Sequence, residues 1–345
     1  MNLSEKTRDI YSKRIDCLRD AMYSAGLELL AINAGPDLSY FTGLQFHISE
    51  RPVILLISQS KEPLIFFPEF ESEKVQSSVL PLVSFPYDEV RLKWAACLSA
   101  AFKSLVLKDN KVGVNPISIR FLEVQLLQEA APEMQIVSAV NILSQLRQKK
   151  DQTEVENITT AILIAQQALE KTLPFISIAK TEKEIANELV IQLLKAGSDP
   201  ELPFSPIVAT GENSANPHAL PTERKIKSGD LLLFDWGARF NGYVSDLTRT
   251  FAIGEISQEF KSIYEIVREA NQRARESLLE STTCHQIDQT ARNVIEKAGW
   301  GKFFTHRTGH GIGLEAHEEP YIQSGNQTKL ENGMVFTIEP GIYLP

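Results

Sequence analysis

The sequence predicts an α+β protein in which a smaller α/β domain precedes a larger domain of helices and antiparallel hairpins. The chain has 345 residues, a length that favours two domains. In its N-terminal part, short apolar strands alternate with helical segments. In its C-terminal part, helices with capping signals alternate with paired strands, which favours an α+β fold over a doubly wound sheet.

The N-terminal domain begins with a predicted helix over residues 5–25, because Ile15, Leu18 and Met22 lie on one helical stripe. The segment AGPDLSYFTG is predicted to be a turn-rich link, since it combines glycine, proline and polar residues. Buried strands are expected at the short apolar runs 27–32, 53–57 and 63–67, with a weaker candidate at 112–114.

The polar and charged segment QLRQKKD, residues 145–151, has two interpretations. In the first, it connects an N-terminal domain of residues 1–145 to a C-terminal domain of residues 150–345. In the second, it is the solvated start of the helix that follows.

The C-terminal domain is predicted to contain helices at 152–173, 182–196, 257–279 and 285–298. Thr181 and Glu184 form a capping box at the start of the second helix, and Gly197 ends that helix. Strands are expected at 206–210, 230–238, 243–252, 305–315 and 334–343.

Composition narrows the function classes. Lys and Arg total 35 against 44 Asp and Glu, a net charge of −9, which argues against nucleic acid as the main partner. Cys17, Cys97 and Cys284 are far apart and form no CxxC motif, so we expect reduced thiols in a cytoplasmic protein. Neither a secretory signal nor a membrane anchor is expected, because the N-terminus lacks an apolar core and the apolar runs are short.

The stretch FDWGARFNGYVSDLTRTF predicts a β-hairpin that carries two aspartates on one face. Asn241-Gly242 favours a two-residue type I′ turn. In that register Asp246 lies opposite Gly237, and Asp235 is a diagonal neighbour of Asp246, with Cβ atoms about 7 Å apart. We expect the glycine to leave space beside the carboxylates. If this face is buried, the two carboxylates require a cation; otherwise they belong to a solvent-facing edge hairpin.

The segment HRTGHGIGLEAHE contains His306, His310 and His317, three of the six histidines in the chain. Glycines surround the middle histidine and allow close approach of the backbone. Imidazole suits divalent transition metals, although the spacing differs from the HExxH helix of zinc proteases. The concentration of histidines predicts a metal or catalytic site rather than isolated core residues.

Two further polar residues stand in suggestive positions. His218 lies in the loop NPHALPTERKIKSGD that enters the aspartate hairpin, and it is either a substrate contact or a surface histidine. Glu339 interrupts the apolar run VFTIEPGIY, in which Val335 and Thr337 share its side of a strand. It is either part of the site or an exposed edge residue.

Together these segments resemble the pita-bread metallopeptidases, a family that includes methionine aminopeptidase, aminopeptidase P and prolidase. The order Asp, Asp, His, Glu is similar to that of the family's dinuclear metal ligands. The segment RIDCLRDAMYSAGLELLAINAGPDLSYFTG resembles the N-terminal domain of Xaa-Pro peptidases and creatinase, which methionine aminopeptidase lacks. Creatinase lacks the metal ligands, whereas all four stand in this sequence. The resemblance covers nearly the whole chain and favours the proline-specific branch.

The resemblance implies a pita-bread fold and metal-dependent hydrolysis of N-terminal Xaa-Pro bonds, as in Xaa-Pro aminopeptidase or prolidase. The implied nucleophile is a hydroxide that bridges two divalent cations, Mn²⁺ by preference, with Co²⁺ or Zn²⁺ also compatible. Small proline-containing peptides are the implied substrates, and a homodimer is the implied assembly. The implied metal ligands are Asp235, Asp246 in a bridging position, His310 and Glu339. The implied catalytic residues are His218, His317 and Glu339, and the implied substrate contacts are His218, His306 and His317.

The sequence departs from the family pattern in one respect. The family has a fifth ligand, a bridging glutamate on a strand after the EPG segment, and none of the six residues after Glu339 is a glutamate. We therefore expect the closing strand to be absent. The alternative function that follows is a homologue with weak or no activity that serves as a binding or scaffold protein.

Overall fold

The computed structural model describes residues 3–344. Contacts divide the chain into two compact units, Met1–Leu146 and Arg147–Pro345. None of the helices within residues 3–344 combines the length and the apolar character that a bilayer span requires.

The N-terminal unit is built on one mixed six-stranded sheet. Its strands are β1 (Leu29–Asn33), β2 (Ile54–Ser58), β3 (Leu64–Pro68), β4 (Val83–Tyr87), β5 (Lys111–Val114) and β6 (Gln135–Ser138). Their order in the sheet is β4-β3-β2-β1-β5-β6. The helices are α1 (Leu3–Ser24), α2 (Pro36–Thr42), α3 (Ser72–Gln76), α4 (Arg91–Ser104), α5 (Phe121–Ala130) and α6 (Val140–Gln148), of which α6 ends in the C-terminal unit.

The apolar runs of the N-terminal part form strands as predicted, because β1, β2 and β3 are buried along their whole length at the centre of the sheet. The prediction that AGPDLSYFTG is a turn-rich link is wrong. Residues Pro36–Thr42 form α2, with proline in the first turn, where its missing N–H costs no helical hydrogen bond.

The C-terminal unit is an α+β structure, which confirms the predicted class. Its helices are α7 (Gln152–Thr172), α8 (Glu182–Lys195), α9 (Gln258–Glu276) and α10 (Cys284–Lys297). Its strands are β7 (Ile207–Thr210), β8 (Leu231–Trp236), β9 (Arg239–Phe240), β10 (Tyr243–Val244), β11 (Leu247–Ala252), β12 (Gly309–Gly311) and β13 (Glu318–Ile322). The predicted capping box of Thr181 and Glu184 opens α8, and Asp151 with Glu154 forms a second one at α7.

The core of this unit consists of two apolar clusters. One apolar cluster packs α7 and α8 against the side chains of Leu232, Phe234 and Trp236 on β8. A second cluster packs α9 and α10 against β13 and the segment that contains Phe336 and Ile338. The polar faces of β8 and of that segment are consequently turned away from these clusters.

The aspartate hairpin has the predicted register. Phe240 pairs with Tyr243 across the turn, and Asp235 pairs with Thr248 where β8 meets β11. Each arm is interrupted, however, so that the two predicted strands become the pairs β8 with β9 and β10 with β11. At the interruption the Ser245 N–H donates to the Ala238 carbonyl over 2.9 Å.

The role expected of Gly237 is wrong. A Cβ atom at this position would lie 1.9 Å from the Ser245 carbonyl oxygen and 2.8 Å from the Pro203 ring. Glycine is therefore required because the two arms approach closely here, not because it leaves space beside the carboxylates.

The predicted strand at 334–343 is an extended segment alongside β12 rather than a regular strand. The N–H groups of Thr337 and Glu339 donate to the carbonyls of His310 and Thr308, both over 2.8 Å. The hydrogen bond from β12 back to this segment is irregular, because the His310 N–H donates to the Thr337 hydroxyl over 3.1 Å instead of to a backbone carbonyl. The predicted strand at 305–315 is shortened to β12, and β13 was not predicted.

The segment QLRQKKD is only partly solvated, in contrast to the interpretation of it as a solvated helix start. Its first four residues end α6, and its aspartate caps α7. Arg147 and Lys150 are buried, with 7% of each residue exposed. The Lys150 N–H donates to the Gly333 carbonyl over 2.8 Å, which ties this segment to the chain that leads into residues 335–339.

Candidate metal centre

Four of the predicted site residues converge in the C-terminal unit. Asp235 lies on the face of β8 opposite the apolar cluster, and Asp246 precedes β11. His310 is the central residue of β12. Its Nε2 atom lies 3.3 Å from Asp246 Oδ2 and 3.1 Å from Glu339 Oε1. The structure therefore brings the hairpin, the glycine-rich segment and the last glutamate together.

The donor atoms at the centre of this group are buried without ordinary partners. Neither carboxylate contact of His310 Nε2 has hydrogen-bond geometry, and within residues 3–344 this atom has no hydrogen-bond partner. The same holds for Asp235 Oδ1. Buried polar atoms are nearly always satisfied in folded proteins, so these two unsatisfied atoms indicate a ligand. Three carboxylates and one imidazole suit a divalent cation such as Mn²⁺, Co²⁺ or Zn²⁺.

The electrostatics of the group are consistent with a cation site. Burial and the neighbouring Asp246 carboxylate raise the pKa of Asp235 well above its usual range. Burial lowers the pKa of His310, but the carboxylates of Asp246 and Glu339 outweigh burial and raise it to about 9. Burial raises the pKa of Glu339, but the adjacent His310 imidazole brings it below the usual value. In the absence of a cation, Asp235 and His310 therefore hold protons, which offset the negative charge of the neighbouring carboxylates.

Gly309 determines how closely the glutamate segment approaches β12. A Cβ atom at residue 309 would lie 1.9 Å from the Thr337 carbonyl oxygen. Only glycine permits this approach, which in turn allows the Thr337 hydroxyl to accept from His310 and places Glu339 beside the imidazole.

His317 joins the group from the loop before β13. Its ring lies edge-on to that of His310, with centroids 4.2 Å apart. Donor atoms of His317, His310 and Asp246 all lie within 4.8 Å of one another. Burial and the positive charge of His310 lower the pKa of His317, which favours a neutral imidazole at the open side of the group.

His306 occupies the flank of the site and has a partner that the sequence analysis missed. Its Nδ1 lies 2.7 Å from the Arg307 carbonyl, which only accepts, so Nδ1 carries the proton. Its Nε2 lies 3.1 Å from the Tyr343 hydroxyl. Tyr343 lies four residues after Glu339, at the end of EPGIY. This short separation from a predicted site residue was the only sequence signal that could have identified Tyr343.

His218 is not brought into the group. Its side chain is exposed in the loop after a short 3₁₀ helix, Gly211–Ala215, and its N–H donates to Asn216 Oδ1 over 3.0 Å. The loop is anchored by the fully buried Glu182 at the start of α8. That carboxylate accepts hydrogen bonds from Asn213 Nδ2 over 2.8 Å and from the Thr222 hydroxyl over 2.6 Å.

Comparison with known proteins agrees with this geometry. The chain matches the family model "Metallopeptidase family M24" over residues 156–345 and the model "Creatinase/Prolidase N-terminal domain" over residues 14–149. An uncharacterized peptidase of Staphylococcus haemolyticus (strain JCSC1435) is 35% identical over 312 residues, which cover 90% of this chain and 86% of the relative.

Solved structures give the same result. A recombinant prolidase from Thermococcus sibiricus is 31% identical with a TM-score of 0.91, covering 97% of this chain and 90% of that chain. An Xaa-Pro dipeptidase from Bacillus anthracis is 31% identical with a TM-score of 0.88, covering 97% of this chain and 91% of that chain. The predicted pita-bread fold with its creatinase-type N-terminal domain is confirmed.

Metallopeptidases of this family use divalent metal ions, typically two, and the buried carboxylate and imidazole donors fit such ions. The chain belongs to metallopeptidase family M24 and carries a creatinase/prolidase type of N-terminal domain.

Proposed function

We propose that the chain hydrolyses N-terminal Xaa-Pro bonds of small peptides with divalent cations held by Asp235, Asp246, His310 and Glu339. The observation that carries the proposal is the convergence of these donors around buried, unsatisfied atoms. The similarity to a prolidase and to an Xaa-Pro dipeptidase over 97% of the chain supports the choice of substrate.

Cations bound by this group would supply a water molecule of lowered pKa that is nucleophilic at neutral pH. The chain's own residues would supply the rest of the chemistry. Glu339 is ionised at neutral pH, because its pKa lies below the usual value, so it can accept a proton from the nucleophile. His317, at the open side of the group, would donate a hydrogen bond to the scissile carbonyl oxygen as negative charge develops there.

The nitrogen of an Xaa-Pro bond belongs to the proline ring and has no hydrogen. As with any peptide bond, its departure as an amine requires a proton, and Glu339 would return the one it accepted. Peptidases that recognise the scissile N–H gain no such contact from this substrate.

The remaining histidines would contact substrate. His306 presents Nε2 toward the Tyr343 hydroxyl, and this pair would bind polar atoms of the peptide at the flank of the site. His218 would approach the substrate from the loop anchored by Glu182. We also propose Mn²⁺ as the cation and a homodimer as the assembly, on the basis of the family resemblance; light scattering in solution tests the latter.

A direct assay tests the proposed function. The purified chain is freed of metal with a chelator, supplied with Mn²⁺ and incubated with Ala-Pro, Ala-Pro-Ala and Ala-Ala. We expect Mn²⁺-dependent release of free alanine from one or both proline peptides and at least about a hundredfold slower release from Ala-Ala. Equal rates on all three peptides contradict proline specificity, and no turnover at a saturating Mn²⁺ concentration contradicts the enzyme assignment.

A further inference from the structure

We propose that Glu318 is a positioning residue for His317, and that Lys150 and Arg147 hold its carboxylate in place. This inference rests on the proposed function only in the role given to His317. It concerns a buried cluster that takes no part in the proposed metal site: Glu318 with the cations of the segment before α7.

Both oxygens of the Glu318 carboxylate are engaged, each by a different cation. Lys150 Nζ lies 2.7 Å from Oε1, and Arg147 Nη2 lies 2.5 Å from Oε2. The three side chains are buried, with 8% of Glu318, 1% of Lys150 and 8% of Arg147 exposed. Two short charge-assisted bonds, one to each oxygen, leave the carboxylate little rotational freedom.

Because Glu318 is next to His317, holding its carboxylate in place also restrains the backbone that carries His317. Glu318 is the next residue and the first of β13. Its backbone pairs with Gly311, the neighbour of His310, at a point where the register of β12 and β13 shifts. His317 is packed on the side of His310 but is otherwise exposed, so its surroundings restrain the ring only in part. Its edge-on contact with His310 therefore depends on the restrained backbone on its C-terminal side.

The same segment also restrains the other side of the site. The Lys150 N–H donates to the Gly333 carbonyl, just before the chain turns into residues 335–339. Lys150 thus connects, through its backbone and its side chain, the segment of Glu339 and the segment of His317. A buried ion pair is weak evidence for stability, because hydrophobic replacements are often as stable, but it can enforce one geometry.

The test substitutes Glu318→Gln, which keeps the shape and removes the charge. Glu315→Gln is the matched control, because Glu315 also pairs with Arg147, at 2.8 Å, but its side chain is 44% exposed and belongs to the same loop. We expect kcat on Ala-Pro to fall about 10- to 100-fold in Glu318→Gln, the range typical of residues that orient a functional group. KM and Mn²⁺ affinity should change less than about threefold, and Glu315→Gln should match the wild type.

A double-mutant cycle separates positioning from a general structural role. If Glu318 acts through His317, adding Glu318→Gln to His317→Ala leaves kcat unchanged. A further drop equal to that of the single variant would overturn the proposal.

A second readout does not depend on peptidase activity. Histidines labelled with ¹³C give six ring signals in the Zn²⁺-loaded protein, and the His317→Ala variant identifies that of His317. The His317 signal should shift in Glu318→Gln and stay in place in Glu315→Gln, while the His47 signal should not move in either variant. An unmoved His317 signal in a folded Glu318→Gln protein overturns the proposal whether or not the chain cleaves Xaa-Pro peptides.

If Glu318→Gln does not fold, Glu318→Asp takes its place. It retains the charge but is one methylene shorter, so its contacts with Lys150 and Arg147 must pull on the backbone next to His317. The same signal must then shift, and an unmoved signal again overturns the proposal. Absence of turnover in the wild type contradicts the proposed function alone, since the spectra still report the position of His317.

Discussion

The Nε2 atom of His310 lies 3.1 Å from Oε1 of Glu339, although the two residues come from separate segments. The imidazole is held on β12, and the glutamate lies on the extended chain hydrogen-bonded alongside it. Because this contact lacks hydrogen-bond geometry, Nε2 is an unsatisfied buried atom within residues 3–344. A cation bound by both side chains would explain this close approach without a hydrogen bond. Several properties of the metal-free protein follow from it.

Replacing Asp235 by Asn should stabilise the metal-free protein at high pH. The folded-state pKa of Asp235 is raised by burial and by Asp246, so the ionised carboxylate costs stability once the pH exceeds its unfolded value of about 4. We expect a gain of about 1–2 kcal/mol in the free energy of unfolding at pH 8, which disappears as the pH falls toward 4. Urea unfolding in the presence of chelator measures it.

Asp230 provides a control, because its pKa shift and the expected change in stability have the opposite sign to those of Asp235. Burial raises the pKa of Asp230, but the ion pair with Arg224 outweighs burial and lowers it. Its contribution to stability is therefore present above the unfolded pKa and lost as the pH falls, so Asp230→Asn should destabilise the protein at pH 8.

With Mn²⁺ added, Asp235→Asn should lose at least about 1000-fold in kcat/KM. A less stable metal-free Asp235→Asn protein at pH 8 would contradict the electrostatic description of the site.

Metal binding should release protons at neutral pH. The pKa of His310 is raised to about 9, so its imidazole carries a proton at pH 7 that a cation must displace. That proton stabilises the metal-free fold below the unfolded pKa of about 6.5, and the stabilisation is lost as the pH rises through about 9. Because the raised pKa of Asp235 leaves that carboxyl protonated at neutral pH as well, we expect Mn²⁺ affinity to rise about tenfold to a hundredfold per pH unit between pH 6 and 8 and to level off above pH 9.

Calorimetry in two buffers of different ionisation enthalpy measures this release. The observed heat should differ between the buffers at pH 7 and converge near pH 10. In His310→Ala the difference should shrink, because the titrating imidazole is gone. Equal heats in both buffers at pH 7, with an affinity independent of pH, would be incompatible with the protonated His310.

Gly309 should not tolerate a methyl group. In Gly309→Ala the new Cβ would collide with the Thr337 carbonyl and force the segment of Glu339 away from β12. We expect a loss of about 2–3 kcal/mol in unfolding free energy, together with at least tenfold weaker Mn²⁺ binding, measured by urea unfolding and calorimetry. Gly325→Ala is the control: its φ is +84° with no neighbour within 4 Å, so backbone strain of about 1 kcal/mol is expected and metal affinity should be unchanged.

Local signals made the hairpin predictable. The type I′ preference of Asn241-Gly242 acts within four residues, and the pairing of Asp235 with Thr248 follows from it by counting. The alternation in VFTIEPGIY separates Phe336 and Ile338, which pack in the core, from Glu339, for which the sequence alone left both a site and an exposed edge open.

Features that depend on distant partners were not predictable. QLRQKKD has the composition of a solvated connection, and only the fold supplies Glu318 to bury Lys150. The irregular edge of β12 arises because the Thr337 side chain replaces a backbone acceptor, which no propensity encodes. In α4, Trp94 and Leu98 face the core but Leu92 is 93% exposed, so the apolar residues form no clean stripe and the helix was missed.

The loop that carries His218 should loosen when its anchor changes. Glu182 accepts from Thr210 N–H over 2.7 Å, from Thr222 N–H over 2.9 Å, and from two side chains of the loop. Glu182→Gln replaces one acceptor oxygen with a donor that faces other donors, at a cost of about 3 kcal/mol. Hydrogen exchange across residues 211–222 should accelerate, and KM for Ala-Pro should rise. The exposed pair of Glu223 with Lys183 supplies the control, since Glu223→Gln should leave exchange in this loop unchanged.

Anomalous diffraction from Mn²⁺-soaked crystals tests the central claim most directly. Data collected at the manganese absorption edge should show anomalous peaks bounded by the side chains of Asp235, Asp246, His310 and Glu339, and the same peaks should be absent from His310→Ala crystals. Anomalous peaks confined to other parts of the molecule, with these four side chains well ordered and no peak among them, would contradict the account.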